Sequence, residues 1–221
     1  MAFFNAKFDD IRLIISIQGY ALNYQYIIRE IGFWSRSICG LIPFNCKLNR
    51  SQLDNISLKN IHIAANEIHG IKQKKTIENA LPSSDAYAVI KCLYHLTKRE
   101  NIDSDYIGIS KEENIAPLIY KSGLGNYIFE LGNLDLFKST NIKFPTIADI
   151  KYIIASDSKK YNFCNLHDKL RNDEIPLCAK VKCEIIANYI QQQLLISAQQ
   201  QQQQQHQQAT YSLAVFPNQL A

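Results

Sequence analysis

Long apolar runs and net charge are both scarce in this 221-residue chain. Nowhere do about 18 apolar residues follow one another without a break, which argues against a membrane-crossing helix. The N-terminus MAFFNAKFDDIR brings Asp9 and Asp10 in early and has no apolar run long enough for a signal core. A soluble intracellular protein without a membrane partner is the expectation, nucleus and cytoplasm being equally open. Six cysteines without a secretory signal read as thiols or ligands rather than a disulfide framework. Lysine and arginine total 24 against 20 acids, a net charge of +4, which allows weak attraction to nucleic acid without requiring it.

From Gln191 onward there is no acidic or basic residue apart from His206, and the segment is dominated by glutamine. A glutamine tract has no apolar face to bury and so cannot offset the entropy of ordering its backbone. Residues 191–221 are therefore expected to form a tail, helical at most near its start and otherwise largely disordered. Residues 1–190 make the folded domain, a length that suits one domain rather than two.

Three apolar runs open that domain, LIISIQGY, YQYIIREIGFW and SRSICGLIPF, parted by turn residues such as Gly19, Asn23 and Ser35. Such spacing suits consecutive antiparallel strands. A polar stretch follows to about Asn66. Ala86, Val89, Ile90, Leu93 and Leu96 then recur at helical intervals, predicting a helix from about Ser84 to Lys98 capped by Ser83 or Ser84. SDYIGIS reads as a strand, KEENIAPLIYKSG as a helix ending at Gly123, NYIFELG as a strand, and LCAKVKCEIIANYI as a final helix. The order predicts an α/β fold, a mixed sheet with helices on its faces.

These phrases, in this order over residues 11–190, resemble the ribonuclease H-like 3′–5′ exonucleases, the type that holds two metals on four acids. IISIQGY falls where that family has a strand ending in Asp-x-Glu. YIIREIGFW matches its second strand, and HGIKQKKTIENALPSSDAYAVIKCLYHL matches its His/Thr-Gly-Ile phrase and the helix beyond. DYIGISKEENIAPLI lies along its Gly-His-Asn-x-x-Phe-Asp phrase, and LCAKVKCEIIANYI along its last helix. The resemblance implies a ribonuclease H-like fold and places the catalytic positions on Ser16, Gln18, Asn114 and Lys182, with the general-base histidine on Leu177. None of the five carries the needed group. Two divalent ions about 4 Å apart need carboxylates to offset their charge. At an effective dielectric of about 20, a unit charge about 4 Å from another is worth about 4 kcal/mol, so a lysine there would strongly oppose ion binding. No two-metal nuclease activity is expected.

Other chemistry rests on fewer residues. Cys164 and His167 form a Cys-x-x-His pair, and Cys178 at a helix start is a third candidate zinc ligand, although ordinary packing roles account for the same residues. Cys183 sits about 140° around the helix from Cys178 and does not supply an evident fourth. No other cofactor is implied. Lys72, Lys74 and Lys75, with Lys180 and Lys182, are candidate phosphate contacts, and Trp34 is either a stacking platform or an anchor at the sheet rim.

The sequence thus favours a catalytically inactive exonuclease-like module that binds single-stranded nucleic acid or a protein complex. Two alternatives stay open. One is a nuclease with a relocated or zinc-assisted site using Glu30, Glu112, Glu113 or the cysteine–histidine cluster. The other is a protein-interaction module without a nucleic-acid role.

Overall fold

The computed structural model describes residues 6–22, 25–46, 48, 51, 53–71, 77–97, 105–111, 115–157, 161, 167 and 176–215. It divides into two compact units, Met1–Ala187 and Asn188–Ala221. The first is built on strands β1 (Ile11–Leu22), β2 (Gln25–Trp34), β3 (Cys39–Asn45), β4 (Leu81–Pro82), β5 (Tyr106–Ile109) and β6 (Ile128–Glu130). They form one sheet in the order β4-β3-β2-β1-β5-β6. Strands β1, β2 and β3 pair antiparallel with one another, while β4 pairs parallel with β3, β5 parallel with β1, and β6 parallel with β5. The α/β mixed sheet read from the sequence is therefore present.

β1 is central and buried along nearly its whole length, which is why its sequence is an almost unbroken apolar run. Leu13, Ile15 and Ile17 point to one face, and with Ile31, Phe33 and Ile107 they pack under helices α2 (Ala86–Leu96) and α3 (Ala116–Lys121). Ser16 lies opposite Gly32 and Gln18 opposite Glu30, so these four share the other face. A β-bulge between Gln18 and Gly19 then shifts the register, and Tyr20 and Leu22 join a second cluster with Ile61, Ala64 and Ala65. At the other end of β1, buried Arg12 bonds Asp105 at 2.9 Å and lies 4.0 Å over the Tyr94 ring, tying β1 to the start of β5.

Helix α1 (Asn55–Ile63) occupies what the sequence presents as a polar stretch. Few of its residues are buried, so its apolar stripe is thin, but Asp54 accepts the Ser57 N–H at 2.7 Å as an N-cap. A π-helical turn, Ala64–Ile68, follows and closes on the His69 N–H bonded to the Ala64 carbonyl at 3.0 Å. Helix α2 starts two residues later than expected, because Ser83 spends its hydroxyl on the carbonyls of Ile28 and Asn45 instead of on a cap.

Two helices that the sequence reading did not resolve, α4 (Asp135–Ser139) and α5 (Ile147–Ser156), follow β6. In α5, Thr146 and Asp149 form a capping box, each side chain bonding the other's backbone N–H at 3.2 and 2.8 Å. Thr146→Ala should therefore lower stability by about 1 kcal/mol. A lower urea midpoint at unchanged slope checks it.

The last helix, α6, runs from Ala179 to Val215, straight through the glutamine tract. This corrects the largely disordered tail expected from composition. Glutamine has a helix propensity close to that of leucine, and extending a helix already nucleated by LCAKVKCEIIANYI avoids the costly first turn. Residues 198–208 of it are exposed. Among the described residues no helix is long and apolar enough to cross a membrane.

Candidate metal centre

The start of α6 presses directly on β2. A Cβ added to Gly32 would lie 2.0 Å from the Ala179 carbonyl carbon and 2.2 Å from the Lys180 nitrogen, so only glycine admits the helix here. One turn along, the Cys183 thiol points at the Gly32 carbonyl, 3.4 Å away. Two residues before Gly32 on the same face, Glu30 is wholly buried in β2. Its Oε1 accepts the Ala179 N–H at 2.7 Å, so an acid from the sheet caps the helix and sits at the positive end of its dipole.

Glu30 Oε2 faces His167, whose Nε2 is 3.1 Å away, both side chains being at most 1% exposed. The approach is not aligned as a hydrogen bond, and both atoms lack a hydrogen-bond partner. The other ring nitrogen, Nδ1, bonds the backbone carbonyl of His69. Burial alone disfavours a charged ring, but the Cys178 and Glu30 side chains that crowd it, and the negative charge they bring, outweigh that and push the His167 pKa up to about 10. Cys178, fully buried at the N-terminal end of α6, completes the group. The carboxylate oxygen, imidazole nitrogen and thiol sulfur all lie within 4.8 Å of one another, an arrangement that can hold a metal ion.

His69 supports this centre from behind. It is almost wholly buried, its Nδ1 accepts the Ile71 N–H at 3.0 Å, and its Nε2 therefore carries the proton and donates to the Gly19 carbonyl at 3.1 Å. Desolvation is the main reason its pKa falls to about 3, the Gly19 bond opposing and the nearby His167 and Arg29 adding to the fall. The adjacent Ile68 carbonyl accepts the Leu177 N–H at 2.9 Å. The π-turn that ends at His69 thus places two successive carbonyls, those of Ile68 and His69, against Leu177 and His167.

Of the candidate zinc ligands read from sequence, the structure brings together His167 and Cys178. Cys164 lies outside the described residues, and Glu30 takes the third place. Glu30 entered the sequence reading only as part of a relocated nuclease site; the signal for it was a charged residue inside the apolar run YIIREIGFW, which must be partnered if buried. Cys183 makes its contact with the sheet backbone, as its angle from Cys178 suggests.

The positions that the resemblance assigns to catalysis are placed as follows. Ser16 and Gln18 are buried on the face that carries Glu30 and Gly32. Leu177 and Lys182 are each 2% exposed, at and just after the start of α6. Lys182 lies four residues beyond Cys178 and so on the same side of the helix. Its burial keeps the candidate phosphate contact away from the open surface. Asn114, Glu112, Glu113, Lys72, Lys74 and Lys75 lie outside the described residues. Lys180 is half-buried.

Trp34 is also buried and stacks on Phe8 with ring centroids 5.7 Å apart, which makes it an anchor of the sheet end. His62, His95, Cys39 and Cys92 are exposed and lie on α1, α2 and β3, outside the group of three. No family model, curated protein or solved structure matches the chain.

Proposed function

We propose that the chain is a non-catalytic module of the ribonuclease H-like exonuclease type, acting by binding single-stranded nucleic acid or a protein complex. The observation that carries the reading is the chemistry at the positions corresponding to the metal-holding acids. Ser16 and Gln18 supply neutral groups from β1, Lys182 supplies a cation from the first turns of α6, and all three are buried. Neutral oxygens and a cation do not offset the charge of two divalent ions, and a site closed by a helix backbone on Gly32 admits no phosphodiester. Three antiparallel strands followed by helix-separated parallel strands beside β1 lend support to the fold assignment.

The Glu30 carboxylate does not favour the relocated-nuclease alternative. It is buried with His167 and Cys178, so an ion held there would not meet a substrate strand.

The full chain, incubated with end-labelled single-stranded DNA or RNA and either magnesium or manganese, should give no cleavage above background. Robust cleavage that disappears in a Glu112→Gln, Glu113→Gln, Glu184→Gln variant overturns the non-catalytic reading. Fluorescence anisotropy with the same oligonucleotides at stepped salt separates the two partners. Affinity that falls steeply with salt selects nucleic acid, and none selects the protein complex.

A further inference from the structure

We propose that Glu30, His167 and Cys178 bind one zinc ion through Oε2, Nε2 and Sγ, and that the ion fastens His167 and the first turn of α6 to strand β2. The inference does not depend on the ribonuclease H-like reading, because it rests on what these side chains do in the structure. Each ligand comes from a different place in the chain: the middle of the sheet, a residue well ahead of α6, and the residue immediately before that helix.

The donor set fits zinc rather than magnesium or calcium, which take oxygen ligands. In a tetrahedral zinc site with the usual bond lengths, nitrogen and oxygen ligands lie about 3.3 Å apart, and nitrogen and sulfur about 3.6 Å. Nε2 and Oε2 are 3.1 Å apart, close to that spacing, and the thiol lies within the same 4.8 Å circle. Yet Nε2 and Oε2 do not satisfy one another as a hydrogen bond, so two buried polar atoms converge without either being satisfied. An ion between them would remove both defects at once.

The surroundings also suit a metal. His167 Nδ1 is committed to the His69 carbonyl, which fixes the ring and turns the Nε2 lone pair toward the ion. Glu30 Oε1 is held by the Ala179 N–H, which leaves Oε2 for coordination. Charge closes as well. A carboxylate and a thiolate cancel the two positive charges of zinc, with His167 neutral, so the buried centre has no net charge. Binding releases the thiol proton, and any proton on the ring, to solvent. The three protein ligands leave a fourth tetrahedral position, and among the described residues no fourth cysteine, histidine or acid joins the group.

The test uses the full chain purified from zinc-supplemented medium, with metal content measured by mass spectrometry. One zinc per chain is expected. Replacing it with cobalt(II) should give the thiolate-to-cobalt charge-transfer band and the intense visible bands of a tetrahedral site. Both should persist in Cys92→Ser, an exposed cysteine on α2, and the charge-transfer band should vanish in Cys178→Ser. Glu30→Gln keeps the side-chain shape, and its zinc affinity should drop by at least about tenfold. Should Cys178→Ser fail to fold by circular dichroism, the wild-type cobalt spectrum and the Glu30→Gln affinity decide. A wild-type chain without stoichiometric zinc and without the cobalt charge-transfer band overturns the proposal, as does another metal at full occupancy. So does a folded Cys178→Ser or Glu30→Gln variant that holds zinc as tightly as wild type.

Discussion

Gly32→Ala is expected to destabilise the protein by more than about 3 kcal/mol, far beyond the helix-propensity or strand-propensity effect of the change. The added methyl would sit 2.0 Å from the Ala179 carbonyl carbon and 2.2 Å from both its oxygen and the Lys180 nitrogen. These are backbone atoms of a helix, which cannot rotate aside as a side chain can. Relief requires the first turn of α6 to move by more than 1 Å, roughly the shortfall from van der Waals contact. That movement breaks the bond between the Ala179 N–H and Glu30 at 2.7 Å and pulls Cys178 from its neighbours. It also unpacks Val181, Ile185 and Ile186, all buried, each worth about 1.5–3 kcal/mol when fully covered. Two other glycines serve as controls. Gly132→Ala meets nothing nearer than 3.8 Å and should unfold within about 0.5 kcal/mol of wild type. Gly123 has open space but a φ of +80°, so alanine there should cost only about 1 kcal/mol of backbone strain. Urea melts of the three variants check the ranking, and a Gly32→Ala protein as stable as Gly132→Ala would show that α6 does not dock on β2 in this way.

The sheet was legible because its signals are local. An apolar run buried on both faces announces β1, and turn residues mark where β2 and β3 begin. Helix α1 was not legible, since burial of little more than Ser57 and Ile61 leaves almost no stripe, and only the Asp54 cap betrays it. The glutamine segment misled for a related reason. Composition reports whether a helix can bury a face, but not whether it can continue from one that already does.

The candidate centre was half legible. Cys-x-x-His and a cysteine at a helix start are sequence neighbours, and they were visible as such. Glu30 lies 137 residues before His167 in the sequence, and only strand register and the missing side chain of Gly32 bring α6 down onto it. Ser16 and Gln18 gain a physical explanation from the same packing. They share Glu30's face of the sheet, where α6 excludes water, and neutral polar groups are less costly to bury there than carboxylates.

Acid is expected to unfold this protein through His69 before its carboxylates titrate. The His69 ring is held neutral in the fold with a pKa of about 3, against an ordinary value near 6.5. Burial is the first cause, and the ring has no acceptor to spare for a second proton, because Nδ1 already accepts from Ile71 and Nε2 already donates to Gly19. The folded pKa lies below the unfolded one, so between pH 6.5 and 3 the unfolded chain binds the proton and the folded chain does not. Stability from this group is therefore complete above about pH 6.5 and declines as pH falls toward 3, by up to about 1.4 kcal/mol per pH unit. In the metal-free protein His167 is pushed the opposite way, to about 10, so it is protonated in both states over most of this window and adds little slope there. Urea midpoints of chelator-treated protein should rise as pH falls from 8 to about 6.5, because the folded chain alone holds the His167 proton there, and should then fall toward pH 4 as His69 opposes protonation. His69→Gln should start lower, because one of the Gly19 carbonyl and the Ile71 N–H loses its partner, and it should lack most of the fall below pH 6.5. An acid slope equally steep in His69→Gln would place the sensitivity in another group and leave the neutral, doubly bonded ring without a role in it.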